Sequence, residues 1–153
     1  MSESEGPTNS WEPAPWTKPE PGRLVGRGHA AGDLLEAHAW DVLESREGYL
    51  RVRAHLPARL KNPQGQLFGG FTPTYVDFLA IHTWWAGRPA TPGHPWLATL
   101  NMRLDYFEPI TSEHFEMSGR VLNRRGSLSW LECQFFDPEG ILSAHALVTL
   151  KAI

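Results

Sequence analysis

The chain has 153 residues, 41% of them hydrophobic, and a formal net charge of −3 with a sequence pI near 6.1. That length suits one domain with a sizeable core, and the acidic balance lacks the basic stripe of a nucleic-acid binder. No apolar run reaches the roughly 20 residues of a membrane span, and a single cysteine, Cys133, leaves no intrachain disulfide and fits a reducing cytosol.

Residues 1–22 carry five of the thirteen prolines and almost no aliphatic side chains. The segment reads as a mobile tail, with Trp11 and Trp16 its only bulky apolar groups. Its first ten residues, MSESEGPTNS, are acidic and polar, unlike a secretory signal, and a cytoplasmic protein is expected. The domain is expected to span 23–153. Asp33 is a good N-cap for a short amphipathic helix over DLLEAHAW, Asp33–Trp40.

Trp40–Glu44 reads as a weak strand. In YLRVRAHL, Leu50, Val52, Ala54 and Leu56 then alternate with polar neighbours. Next comes NPQGQLFGGFTPTYVDFLAIHTWWAG, residues 62–87, whose only charged residue is Asp77. Its spacing predicts one long helix from about Gly69 to about Ala86, with Pro73 tolerable in the first turn.

Three further segments alternate with period two. The inner sets are Ala98, Leu100, Met102, Leu104 and Tyr106; then Phe115, Met117, Gly119 and Val121; then Leu142, Ala144, Ala146, Val148 and Leu150. Between the last two lies Ser127–Asp137, a strand richer in aromatics. Arg46-Glu47-Gly48, Arg125-Gly126 and Pro138-Glu139-Gly140 supply turns. The expected class is therefore α+β: an antiparallel sheet of five to six strands with one long helix across a face.

A carboxylate among apolar neighbours costs several kcal/mol, roughly, unless something pairs with it or uses it, which marks Asp77 as a candidate catalytic group. Gly69 and Gly70 leave backbone N–H groups open to a developing oxyanion, and also suit a tight loop-to-helix junction. Asn62 precedes Pro63, where turn chemistry favours it. Thr99 falls in the polar set of its strand, so it meets Asp77 only across an interface or through a bulge. No clustered Cys/His set suggests a metal, and no glycine-rich dinucleotide or phosphate loop is present.

In order and spacing these residues resemble the hotdog fold, and within it the phenylacetate-degradation (PaaI-like) acyl-CoA thioesterases. The matching positions are Asn62, Phe68-Gly69-Gly70, Asp77, and Thr99–Pro109 with its Tyr-x-x-Pro ending. The resemblance covers roughly residues 38 to 151. It departs at Phe68, where the family carries histidine, and this fits either a reshaped acyl pocket or a lost activity.

The resemblance implies acyl- or aryl-CoA hydrolysis without metal or redox cofactor. Asp77 would be base or nucleophile, Gly69 the oxyanion donor with Gly70 beside it, and Asn62 would orient water or carbonyl. Thr99 is a weaker catalytic candidate. Phe68 would face the substrate, and Arg124 and Arg125 are candidates for CoA's phosphates. It further implies a homo-oligomer, a dimer or a dimer of dimers, with active sites shared between chains. The competing reading is a hotdog protein that binds an acyl thioester without turning it over, as a sensor or sequestering module.

Overall fold

The computed structural model describes residues 17–89 and 95–153. Trp11, Trp16 and the first part of the expected tail lie outside the described residues. The remainder of that stretch, 17–22, is exposed throughout, yet it is hydrogen-bonded to the domain. The Thr17 N–H donates to the Arg27 carbonyl at 2.9 Å, and the Gly22 carbonyl accepts from Val42 N–H at 3.1 Å.

The elements run α1 (Ala30–Leu34), β1 (Asp41–Arg46), β2 (Tyr49–His55), α2 (Thr72–Trp85), β3 (Leu97–Tyr106), β4 (His114–Arg125), β5 (Leu128–Phe136) and β6 (Leu142–Ala152). The strands form one antiparallel sheet in the order β1-β2-β4-β5-β6-β3. The long helix α2 packs on one face of it and touches β2 through β6.

The alternation in the sequence is what fixes this face. Leu50, Val52 and Ala54 of β2, Phe115 and Met117 of β4, Leu131, Cys133 and Phe135 of β5, and Ala144, Ala146, Val148 and Leu150 of β6 are buried. They close on Tyr75, Val76 and Leu79 of α2, and each large apolar side chain so buried contributes about 1.5–3 kcal/mol. Tyr75 stacks on Trp40 at 5.7 Å and meets Phe115 edge-on at 5.4 Å. Its hydroxyl escapes the apolar interior by donating to the His55 carbonyl at 3.0 Å.

Three local expectations are corrected. The helix α2 begins at Thr72, not Gly69. A turn precedes it, closed by the Phe71 N–H on the Phe68 carbonyl at 2.9 Å. A Cβ on Gly70 would stand 2.7 Å from the Phe68 ring, so a side chain there would displace that exposed ring.

The short helix expected over Asp33–Trp40 is instead α1, three residues earlier, followed by a separate 3₁₀ turn at Ala37–Ala39. Asp33 does not cap it, because its carboxylate accepts the Gly28 N–H at 3.2 Å. His29 is the cap, its Nδ1 accepting the Gly32 N–H at 3.4 Å. Glu36 breaks the two apart in a left-handed conformation (φ 54°), with its carboxylate 3.2 Å from His55 and 3.5 Å from Arg59.

The third correction concerns β3. Its register against β6 shifts between Thr99 and Asn101, an irregularity of the β-bulge type that moves side chains to the opposite face. Leu100, expected inside, is 55% exposed, as is Tyr106. Met102 and Leu104 remain packed against the core.

Candidate active site

Asp77 sits in the middle of α2, half-buried rather than fully enclosed. The bulge in β3 turns Thr99 towards the helix, and its Oγ1 donates a hydrogen bond to Asp77 Oδ1. A carboxylate accepts at both oxygens, so this contact fixes the carboxylate and leaves Oδ2 for chemistry.

Asp77 and Thr99 open on a cleft of about 380 Å³ between α1, α2 and β3. Its other walls are chiefly apolar, with Phe78, Ile81, Met102 and Ala31 around the rim residues His29 and Thr74. Among the described residues no lysine or arginine lines it. Behind it the His82 ring lies 4.5 Å from Phe78. Burial, helped by the charge of His29, pushes the His82 pKa down to about 4, so that ring is neutral at neutral pH.

Gly69 lies elsewhere. Its carbonyl accepts the Tyr106 hydroxyl at 2.6 Å, and it does not line the Asp77 cleft. Among the described residues neither the Gly69 nor the Gly70 N–H has an acceptor. Phe68 is 53% exposed beside them, with its ring edge-on to Phe71 at 5.8 Å.

The Asn62 amide is engaged within its own loop. Its Oδ1 accepts from the Gln64 and Gln66 N–H groups at 3.0 Å each, and its Nδ2 donates to Gln66 Oε1 at 3.3 Å. This is the side-chain-to-backbone turn chemistry that asparagine favours.

Arg124 and Arg125 stand at the other end of the helix. Arg124 donates to the Trp84 carbonyl at 3.4 Å, where a cation suits the negative end of the helix dipole. Its Nη1 lies 3.6 Å from Glu47. Burial first, then the neighbouring Arg88, lowers its pKa, while Glu47 opposes the shift. Arg125, the last residue of β4, is exposed.

One chain thus brings Asp77 and Thr99 together, and Gly69 and Tyr106 together, but does not join the two pairs. Sequence reasoning took Tyr106 for an inward-facing strand residue, although the Tyr-x-x-Pro ending flagged it. Nothing in the local sequence signals that His29 and Ala31 border Asp77, since α1 reaches that cleft only through tertiary packing. Among the described residues no group of three or more His, Cys, Asp or Glu side chains is placed to hold a metal. No helix there is long and apolar enough to cross a membrane.

A family model described as the thioesterase superfamily matches residues 64–144, the span that holds Gly69, Gly70, Asp77, Thr99 and Tyr106. The chain belongs to the thioesterase superfamily. Its fold is the hotdog fold, and its reaction class is thioester hydrolysis.

Solved structures agree on the fold of this thioesterase. A putative thioesterase from Ralstonia eutropha JMP134, a phenylacetic acid degradation-related protein, aligns with a TM-score of 0.69 at 19% identity, over 80% of this chain and 89% of its own. A thioesterase from Haemophilus influenzae aligns with a TM-score of 0.68 at 15% identity, over 80% and 82%. A hypothetical thioesterase from Streptococcus pneumoniae TIGR4, solved with coenzyme A, gives 0.66 at 15% identity, over 74% and 85%. No curated protein matches the sequence.

Proposed function

We propose that this hotdog thioesterase hydrolyses an acyl- or aryl-CoA and belongs with the phenylacetate-degradation type, with Asp77 as base or nucleophile. The observation that carries the reading is the Thr99–Asp77 hydrogen bond at the edge of an otherwise apolar cleft. As base, Asp77 takes a proton from water while the water oxygen attacks the thioester carbonyl carbon. The tetrahedral intermediate then expels the thiolate, which takes up the proton as the carboxylic acid is released. As nucleophile, an Asp77 carboxylate oxygen attacks the thioester carbonyl carbon and expels the CoA thiolate to leave a mixed anhydride, which water cleaves to the free acid and Asp77, the proton released going to the thiolate.

The oxyanion formed in either route needs donors aimed at it. The Gly69 N–H, with Gly70 beside it, is the proposed donor, and Asn62 holds the loop that carries them. Phe68 is proposed to border the substrate, and Arg124 and Arg125 to meet the phosphates of CoA. No metal or redox group is assigned a part, and the cytoplasm is the proposed compartment, on the single Cys133.

The donor and the acid are proposed to come from different chains. β3 ends the strand order, so its outer edge has no strand neighbour among the described residues. An open edge of this kind accepts a second strand. Antiparallel pairing of two β3 edges about a two-fold axis near Met102 and Arg103 would set Thr99 close to Tyr106 of the partner subunit. Because Thr99 holds Asp77 and Tyr106 holds Gly69, Asp77 would then face Gly69 of the partner subunit. An isologous dimer would carry two such sites, and dimers could pair further into a tetramer.

A thiol-release assay over a panel of acyl-CoAs, with the oligomeric state read by light scattering, tests the reading. Release by a dimer or larger assembly is expected. No release on any acyl-CoA would overturn the substrate assignment, and an active monomer would overturn the shared site.

A further inference from the structure

We infer that α1 is the acyl-selecting wall of the Asp77 cleft, and that Ala31 sets how large an acyl group the cleft admits. This rests on the proposed reading of the cleft as the place where the thioester meets Asp77.

The first step is which end of an acyl-CoA the cleft takes. Among the described residues its lining holds one carboxylate and no lysine or arginine, so a polyphosphate would be repelled and desolvated there without compensation. Phe78, Ile81 and Met102 instead offer apolar surface, which suits an acyl group. One chain bounds about 380 Å³ of this space, and that room must hold the acyl group beside the thioester and the attacking water.

The second step is what limits that room. α2 and β3 are fixed by the core, but α1 closes the cleft from outside the sheet. A Cβ at Gly32 would stand 3.4 Å from the Phe78 ring, so α1 rides directly on Phe78. The His29 Nδ1 bond to the Gly32 N–H ties the start of α1 to the same contact. Ala31, between these two anchors, presents a single methyl group to the cleft.

The experiment uses the full chain and non-hydrolysable acyl-CoA analogues in which a methylene replaces the sulfur, with Kd measured by calorimetry. An acetyl-sized and a benzoyl-sized analogue are compared in wild type, Ala31→Leu and Ala31→Phe. Ala31→Phe is expected to weaken the benzoyl analogue at least tenfold while changing the acetyl analogue less than twofold. Ala31→Leu, which perturbs α1 less and serves if the Phe variant does not fold, should give the same pattern at about threefold. Equal factors for both analogues, or no change for either, would overturn the inference. Thiol release separates this from the parent reading. Size-dependent binding without turnover would keep the wall and reject hydrolysis, whereas turnover with unchanged size dependence would do the reverse.

Discussion

The hydroxyl of Thr99 meets the carboxylate of Asp77 because β3 changes register between Thr99 and Asn101. Strict alternation would have turned Thr99 away from α2. The same shift exposes Leu100 and leaves Met102 on the cleft side. A local irregularity of the strand therefore builds the polar pair on which the proposed chemistry depends.

Removing that hydroxyl should lower turnover while keeping the fold. A hydrogen bond to a charged group contributes about 1.5–3 kcal/mol, so Thr99→Val, nearly isosteric, should cost roughly tenfold or more in kcat. Thr99→Ser, which keeps the donor, should recover most of it. Steady-state kinetics on both variants check this, and a Thr99→Val enzyme as fast as wild type would remove Thr99 from the site.

Gly119 of β4 lies directly against Thr83 of α2. A Cβ there would stand 2.9 Å from Thr83 Cβ, and Thr83 Oγ1 is buried without a hydrogen-bond partner among the described residues. Gly119→Ala should destabilise the fold by about 1–3 kcal/mol through overpacking, a fall of several degrees in Tm. Adding Thr83→Ala removes the hydroxyl and methyl that meet the new Cβ, and with them the unpaired polar atom, but keeps the Cβ of residue 83, so it should restore part of the loss. Additive losses in the double variant would contradict this packing account.

Acid should weaken the fold through His82. Its folded pKa of about 4 lies below the ordinary 6.5, so the unfolded chain binds its proton first as pH falls. The stability it contributes is whole above about 6.5 and drains away towards 4, amounting to up to about 3 kcal/mol. Thermal melts at pH 7.5 and pH 4.5 should show a steep acid loss in wild type and a shallower one in His82→Gln. Parallel losses in the two proteins would place the acid sensitivity elsewhere.

Much of the fold was legible because its signals are local. Period-two alternation marks β2, β4 and β6, and the apolar stretch around Asp77 marks α2. What the pattern hides is anything that breaks period or depends on distant packing. The β3 bulge leaves the alternation of letters intact, so Leu100 reads as buried when it is exposed. Asp33 looks like a helix cap, but its carboxylate is taken by the Gly28 N–H. Glycines at 69 and 70 look like a helix start, but the Phe68–Phe71 turn holds them just outside it. Within the site, Asp77 stands out by charge alone, whereas the wall formed by α1 exists only because Gly32 packs on Phe78.

The account stands most directly on the carboxylate of Asp77, and Asp77→Asn isolates it, since the two side chains have nearly the same volume. The decisive measurement is kcat for thiol release from the best acyl-CoA substrate, with circular dichroism confirming the fold. Loss of a general base or nucleophile should lower kcat by on the order of a hundredfold or more, with a melting temperature close to wild type. A folded Asp77→Asn variant that turns over at the wild-type rate would contradict the central claim.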